Sequence, residues 1–239
     1  ARTFRALRDA FTRRAEALAP DLVMVKLLKY YSYYYSDGLV MDSAYRFGLQ
    51  VYRAGGNSST VCYEFGNFFR TVGLYDRALS LYQQASDKIP SASWPYCSMA
   101  ELQLSMGNID SAKILLDKAE KLDSNSLVVL YPLVDLNVHL NNYQEVERLF
   151  KKIRRVNPDG NPIQDPFYVA WIQAMKGQKE DALRTLTTLH KVEKIHPLRQ
   201  DNSAIVYCAL GMKKEAVDKL EKNPRSYLEL KNARPWNIL

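Results

Sequence analysis

The sequence predicts an all-α solenoid of antiparallel helix pairs, and three observations predict it. A short pattern stands at Gly73-Leu74-Tyr75-Asp76-Arg77-Ala78: a glycine, an aromatic or aliphatic residue two positions on, and an alanine three beyond that. It returns 34 residues later at Gly107 to Ala112, then at Asn141 to Val146, Gly177 to Ala182 and Gly211 to Ala216, while Ala44 lies 34 residues before Ala78. A period of this length marks stacked units that each bury their apolar face only against neighbours. Second, apolar residues recur at three and four positions in two halves of each unit with a breaker between, which specifies two short amphipathic helices joined by a tight turn. Third, small residues fall at matching places in the two halves, Gly66 with Ala78, Ala100 with Ala112 and Ala170 with Ala182. Two helices approach closely only where one side chain is nearly absent.

Along the chain, residues 1–24 read as a leading helix, the second half of a truncated repeat, with Ala15 and Pro20 at the positions that close such a helix. Six repeats follow at 25–58, 59–92, 93–126, 127–160, 163–196 and 197–230, and 231–239 is a tail. In 59–92 the first helix carries Cys62, Phe65, Gly66 and Phe69 inward, and the second carries Ala78, Tyr82 and Ala85 before Pro90 ends it. The fourth interval is two residues longer, and the turn Asn157-Pro158-Asp159-Gly160-Asn161-Pro162 absorbs the excess.

The stretch VCYEFGNFFRTVGLYDRALSLYQQASDKIP and the ending LDKAEKLDSNS resemble the tetratricopeptide repeat (TPR) family over about residues 21 to 230. The resemblance implies a right-handed superhelical solenoid and an interaction scaffold. Departures from the pattern are Ser32 where a small residue is usual, Gly48 where a large one is usual, and Val134 with Val146 in place of the small pair, which predict an altered packing angle. The ending from Ala204 to Leu239 is similar to TPR regions of bacterial signalling and regulatory proteins. That likeness implies the sensory or regulatory region of a larger protein. The chain begins at Ala1 and its orphan leading helix lacks half a repeat, so a further repeat, a linked domain or a second copy is expected at the amino end.

The chain has 239 residues with 47% hydrophobic and 25% charged, enough to bury a sizeable core. Lys and Arg outnumber Asp and Glu by 33 to 26. Apolar runs such as Leu127 to Val134 fall well short of the ~18 residues of a membrane span, and no signal peptide opens the chain. Cys62, Cys97 and Cys208 are too far apart for zinc-ligand spacing and read as buried thiols, which points to a reducing, cytoplasmic setting, or a periplasmic one if a membrane anchor is attached.

Chemistry-bearing patterns are absent. His139, His190 and His196 form no metal-binding spacing, and there is no HExxH, GxSxG, GxxxxGK or GxGxxG. No cofactor is expected and the chain reads as no enzyme. Two basic clusters, Arg2, Arg5, Arg8, Arg13, Arg14 and Arg148, Lys151, Lys152, Arg154, Arg155, invite a nucleic-acid reading. Leu149, Phe150 and Ile153 interleave the second, which favours a solvated outer helix face. Tyr30, Tyr31, Tyr33, Tyr34 and Tyr35 span more than one helix face; the repeat register puts Tyr31 and Tyr35 in the core and Tyr33 at the groove.

In the TPR family, repeat positions 2, 5, 9 and 12 face the concave side. Carried over, this implies a partner groove of Lys26, Lys29, Tyr33, Thr60, Tyr63, Asn67, Arg70, Trp94, Glu101, Tyr131, Asp135, Phe167 and Trp171. Family members that hold a chaperone's terminal carboxylate use Lys and Asn in one repeat; here Lys29 fits, but Tyr33 and Glu64 stand where Asn is needed, so that ligand is disfavoured. The tail at Ala233 to Leu239, through Trp236, Ile238 and Leu239, is the alternative occupant.

Overall fold

The computed structural model describes residues 2–34, 40–55, 58–160, 164–195 and 203–222, which form thirteen helices with no strand among them. In order these are α1 (Arg2–Leu18), α2 (Val23–Tyr34), α3 (Met41–Gly55), α4 (Ser59–Thr71), α5 (Tyr75–Lys88), α6 (Trp94–Ser105), α7 (Ile109–Leu122), α8 (Leu127–His139), α9 (Tyr143–Val156), α10 (Gln164–Met175), α11 (Lys179–Ile195), α12 (Ser203–Ala209) and α13 (Lys213–Lys222). The chain divides into two compact units, Ala1–Ser91 with α1 to α5 and Ala92–Leu239 with α6 to α13. In the first, α2 pairs with α3 and α4 with α5; in the second, α6 pairs with α7, α8 with α9, α10 with α11 and α12 with α13.

The reversal inside a pair is closed by main-chain groups. Gly107 N–H donates to the Leu104 carbonyl at 2.9 Å and Asn108 N–H donates to the Gln103 carbonyl at 2.9 Å. This double bond pattern satisfies carbonyls that a helix end leaves open, and it requires a left-handed residue between them. Gly107 supplies it at φ 80°. The same two bonds recur at Gly73 and Leu74, Asn141 and Asn142, Gly177 and Gln178, and Gly211 and Met212. Asn141 has φ 55°, the non-glycine residue that tolerates this conformation best. The glycine of the periodic pattern is therefore a backbone requirement.

The alanine of the pattern is a packing requirement. Ala78, Ala100, Ala112, Ala170 and Ala182 are fully buried where paired helices meet. A Cβ on Gly66 would lie 2.7 Å from the Tyr82 ring, so the glycine is what admits that ring. Tyr82 is itself fully buried and its hydroxyl donates to Asn67 Oδ1 at 2.7 Å. In α8 and α9 the contact is made by Val134 and Val146, both fully buried. Gly48, in α3, faces Phe65 and Tyr30; a Cβ there would meet the Phe65 ring at 2.8 Å and the Tyr30 ring at 3.3 Å.

The first repeat departs from the expected register. Tyr30 and Tyr34 are the buried tyrosines, whereas Tyr31 is half-buried and Tyr35 lies outside the described residues. Leu27, Tyr30 and Tyr34 occupy the buried places that Cys62, Phe65 and Phe69 occupy 35 residues later, although Ala44 and Ala78 keep the 34-residue spacing. The slip of one residue is taken up between α2 and α3. It places the Tyr30 hydroxyl 3.0 Å from the Glu64 carbonyl and the Tyr34 hydroxyl 2.7 Å from Thr71 Oγ1, so both phenols are satisfied inside the core.

α1 packs on α2 through a polar edge. Thr12 is buried, Asp9 and Glu16 are half-buried, and Glu16 pairs with Lys29 of α2. Its larger apolar residues lie on the other side: Leu7 is 52%, Phe11 67% and Leu18 78% exposed.

Candidate functional site

In the first compact unit the expected groove residues are held by neighbours within that unit. Lys26 lies 3.5 Å from Asp21, while Lys29 pairs with Glu16 and sits 4.9 Å from the centre of the Phe47 ring. Tyr33 stacks on Phe47 at 5.0 Å, so the helix pair claims its face. Thr60 is exposed, Tyr63 and Arg70 are half-buried, and Asn67 accepts from Tyr82. Glu64, which stands where a carboxylate-holding repeat would need Asn, bonds to Tyr31 and Asn67; burial raises its carboxyl above the usual range, and its Oε2 is enclosed with no hydrogen-bond partner.

In the second unit the first helices α6, α8 and α10 bring a connected cluster together. The Tyr131 hydroxyl donates to Asp165 Oδ1 at 2.9 Å, and its ring stacks on Tyr168 at 5.6 Å. Tyr168 in turn bonds Asp135. Burial pushes the Asp135 carboxyl up to about 8; the charge of Glu101 adds to this and the Tyr168 bond opposes it. The phenols of Tyr131 and Tyr168 are raised by burial and by the carboxylates beside them. Phe167 stacks on Trp171 at 5.7 Å, and His139 meets Trp171 edge-on at 6.0 Å.

Of the residues expected here, Glu101 and Trp94 are half-buried, Asp135 is half-buried as a residue with its carboxyl group enclosed, and Tyr131, Phe167 and Trp171 are only 7%, 5% and 4% exposed. Those three rings therefore wall the face more than they project from it. Tyr168 and Asp165 join the cluster unannounced by the repeat pattern; the signal for such partners was a lone acid, Asp135, within the apolar run LVVLYPLVDLNV. A buried carboxyl needs a hydrogen-bond partner.

The remaining patterns settle as follows. On α9, Val146, Leu149 and Ile153 are buried while Arg148, Lys151, Arg154 and Arg155 are exposed, and Arg148 donates to Glu145 at 2.7 Å, so this cluster is an outward helix face. Arg13 and Arg14 are exposed, and the side chains of Arg2, Arg5 and Arg8 lie outside those described, as does the tail from Asn223 to Leu239. Cys62, Cys97 and Cys208 form no disulfide, and burial pushes Cys97 up to about 12, which makes it a poor nucleophile. No metal-type cluster occurs among the described residues, and none of their helices is long and apolar enough to cross a membrane.

Stacked pairs with a left-handed turn residue and a small-residue contact define a class: the fold is that of TPR proteins, all-α and solenoid-like. No family model matches the chain. A 126-residue stretch, 49% of the chain, is 31% identical to 22% of the transcriptional regulator HilA of Salmonella typhimurium. A 95-residue stretch, 40% of the chain, is 26% identical to 14% of mouse tetratricopeptide repeat protein 12. The chain thus spans less than a quarter of the length of these curated relatives. Among solved structures, the Cut9-Hcn1 hetero-tetramer of the APC/C is similar with a TM-score of 0.71 at 16% identity, over 96% of this chain and 46% of that one. Pseudomonas aeruginosa PilF is similar with a TM-score of 0.57 at 14% identity, over 82% and 86%.

Proposed function

We propose that the chain is a non-catalytic protein-interaction scaffold that holds a peptide or partner domain against the first-helix face of its second compact unit. The observation that carries the reading is the convergence of Glu101, Asp135 and Asp165 from three first helices beside the rings of Tyr131 and Tyr168. Such a face suits a segment bearing a lysine or arginine, which gains the carboxylates of Glu101 and Asp165 and the aromatic walls together, while Asp135, protonated near neutral pH in the free chain, offers hydrogen bonds only. The TPR fold supports the scaffold reading, because stacked helix pairs offer extended surfaces built for contact. The partner proposed is a protein, since the basic residues of α9 form an ordinary solvated face. Three cysteines outside any disulfide support a reducing, cytoplasmic setting.

The test is calorimetric titration of the chain with short peptides carrying one arginine among apolar residues, against twins carrying glutamate. The arginine peptide should bind and Glu101→Gln should weaken it by about tenfold; equal binding of the twins sinks the reading. Alanine at Tyr131 or Trp171 is uninformative here because both rings are buried.

A second reading is favoured by the likeness to HilA: that the chain is the regulatory TPR region of a larger bacterial signalling or transcription-regulating protein. Fusing it to a reporter DNA-binding domain and finding output unchanged by Glu101→Gln and by partner peptide would count against it.

A further inference from the structure

We propose, building on the cation-holding reading above, that the first-helix face of the second unit is proton-gated: a lysine or arginine of the partner settles there as Asp135 releases its proton to solvent, so binding tightens as pH rises. The arrangement of groups demands the exchange. Glu101 of α6, Asp135 of α8 and Asp165 of α10 meet around the phenols of Tyr131 and Tyr168. Tyr168 bonds Asp135 and stacks on Tyr131 at 5.6 Å, and Tyr131 donates to Asp165 at 2.9 Å, so the cluster is one connected body. Asp135 stands between Val134 and Leu136, both buried, with its own carboxyl enclosed. Neighbouring carboxyls shut away from water cannot all carry charge, and the proton stays on the most enclosed of them.

Nothing around Asp135 neutralises it otherwise. α6 contributes the charge of Glu101, and α10 contributes the Tyr168 phenol. On α8 itself, Tyr131 lies one turn before and turns its hydroxyl to Asp165. His139 lies one turn after; burial lowers its pKa, so it is neutral above about pH 6.5. α7 and α9 also pack on α8, but their buried residues are apolar and neither helix places a charge on Asp135. Among the described residues, no cation acts on this carboxyl.

An arriving lysine or arginine supplies the missing charge. An opposite charge within about 4 to 6 Å lowers a carboxyl by about one to three pH units, and here the newcomer also offsets the repulsion from Glu101. Direct contact with Asp135 is not needed. Its carboxyl, held at about 8 in the free chain, then titrates between about pH 5 and pH 7 in the complex. Inside that window the free chain keeps the proton and the complex has lost it: the carboxyl O–H bond breaks, its electron pair stays on the carboxylate, and the proton passes to buffer. Affinity therefore rises by about tenfold per pH unit within the window. Below it both states are protonated and above it neither is, so affinity is level on either side.

The probe is a short peptide with blocked ends and one arginine among apolar residues, so that it has no titrating group of its own. Calorimetric titration into the full chain at several pH values, each in two buffers of unlike ionisation enthalpy, reads affinity and proton release together. Affinity should rise roughly tenfold or more from pH 6 to pH 9, with about half a proton or more released at pH 7.5 and none at pH 9.5. In Asp135→Asn the amide stands in for the protonated acid. That variant should bind at about the wild-type affinity of pH 6, level with pH and with no proton released. Wild-type binding that is level with pH, or that releases no proton, overturns the gating and leaves the cation-holding reading in place. A rise with pH that survives in Asp135→Asn overturns it too, by assigning the proton to another group. No binding of the arginine peptide at any pH overturns both readings. Where Asp135→Asn does not fold, the wild type decides alone: release at pH 7.5 that vanishes by pH 9.5 supports the gating, and any other profile overturns it.

Discussion

Asp135→Asn isolates what the carboxyl cluster costs. Burial holds the Asp135 carboxyl at about 8, far above the ~4 of an exposed aspartate, so the folded chain keeps a proton that the unfolded chain has lost. The sign follows from proton counting. Between about pH 4 and pH 8 the native state binds one more proton than the unfolded state, so stability falls as pH rises, by about 1.4 kcal/mol per pH unit for this group. Asparagine cannot ionise, but its carbonyl still accepts from Tyr168. The wild type should therefore lose about 2 to 3 kcal/mol relative to Asp135→Asn between pH 5 and pH 7. Urea midpoints followed by tryptophan fluorescence at several pH values measure the difference, and Trp171 reports from the same helix layer. Parallel curves for the two proteins across this range would show that Asp135 ionises freely and that the cluster is not closed around it.

Other predictions test the frame. Ala78→Leu forces bulk into the fully buried contact between α4 and α5 and should cost about 1 to 3 kcal/mol, measured as a lowered denaturant midpoint. Gly107→Ala puts a Cβ on a residue at φ 80° and should cost about 1 kcal/mol, although nothing lies within 4 Å of the new atom; an unchanged midpoint would refute the backbone argument. Asn141→Gly relieves the same conformation and should raise the midpoint slightly, seen by thermal unfolding.

The helix pairs were legible because each half-repeat states its period, its turn residue and its small contact residue independently. Register failed where the sequence allowed two answers: five tyrosines in six positions offer a large aromatic to either face of α2, and only the space left by Gly48 decides for Tyr30. Position within the repeat named Glu101 and Asp135 but not Asp165 and Tyr168, because their contact joins different helices and no local pattern records it. The same position rule named Tyr131, Phe167 and Trp171 as groove residues, and the structure buries them, Phe167 stacked on Trp171 and Tyr131 stacked on Tyr168. A repeat pattern fixes which side of a helix a residue occupies. How near the next helix comes depends on the summed volume of both.

The turns have a consequence for how such a chain can change length. Each is closed by main-chain bonds around one left-handed residue, so it asks almost nothing of the sequence on either side. Excising residues 107 to 140 would join Met106 to Asn141, and the junction would again present a left-handed residue after a helix end, followed by a helix start. Whole modules can therefore be duplicated or lost without redesigning a joint, whereas a gain or loss of a few residues inside a helix must be absorbed elsewhere, as between α2 and α3. Growth by discrete steps of one module is built into the backbone.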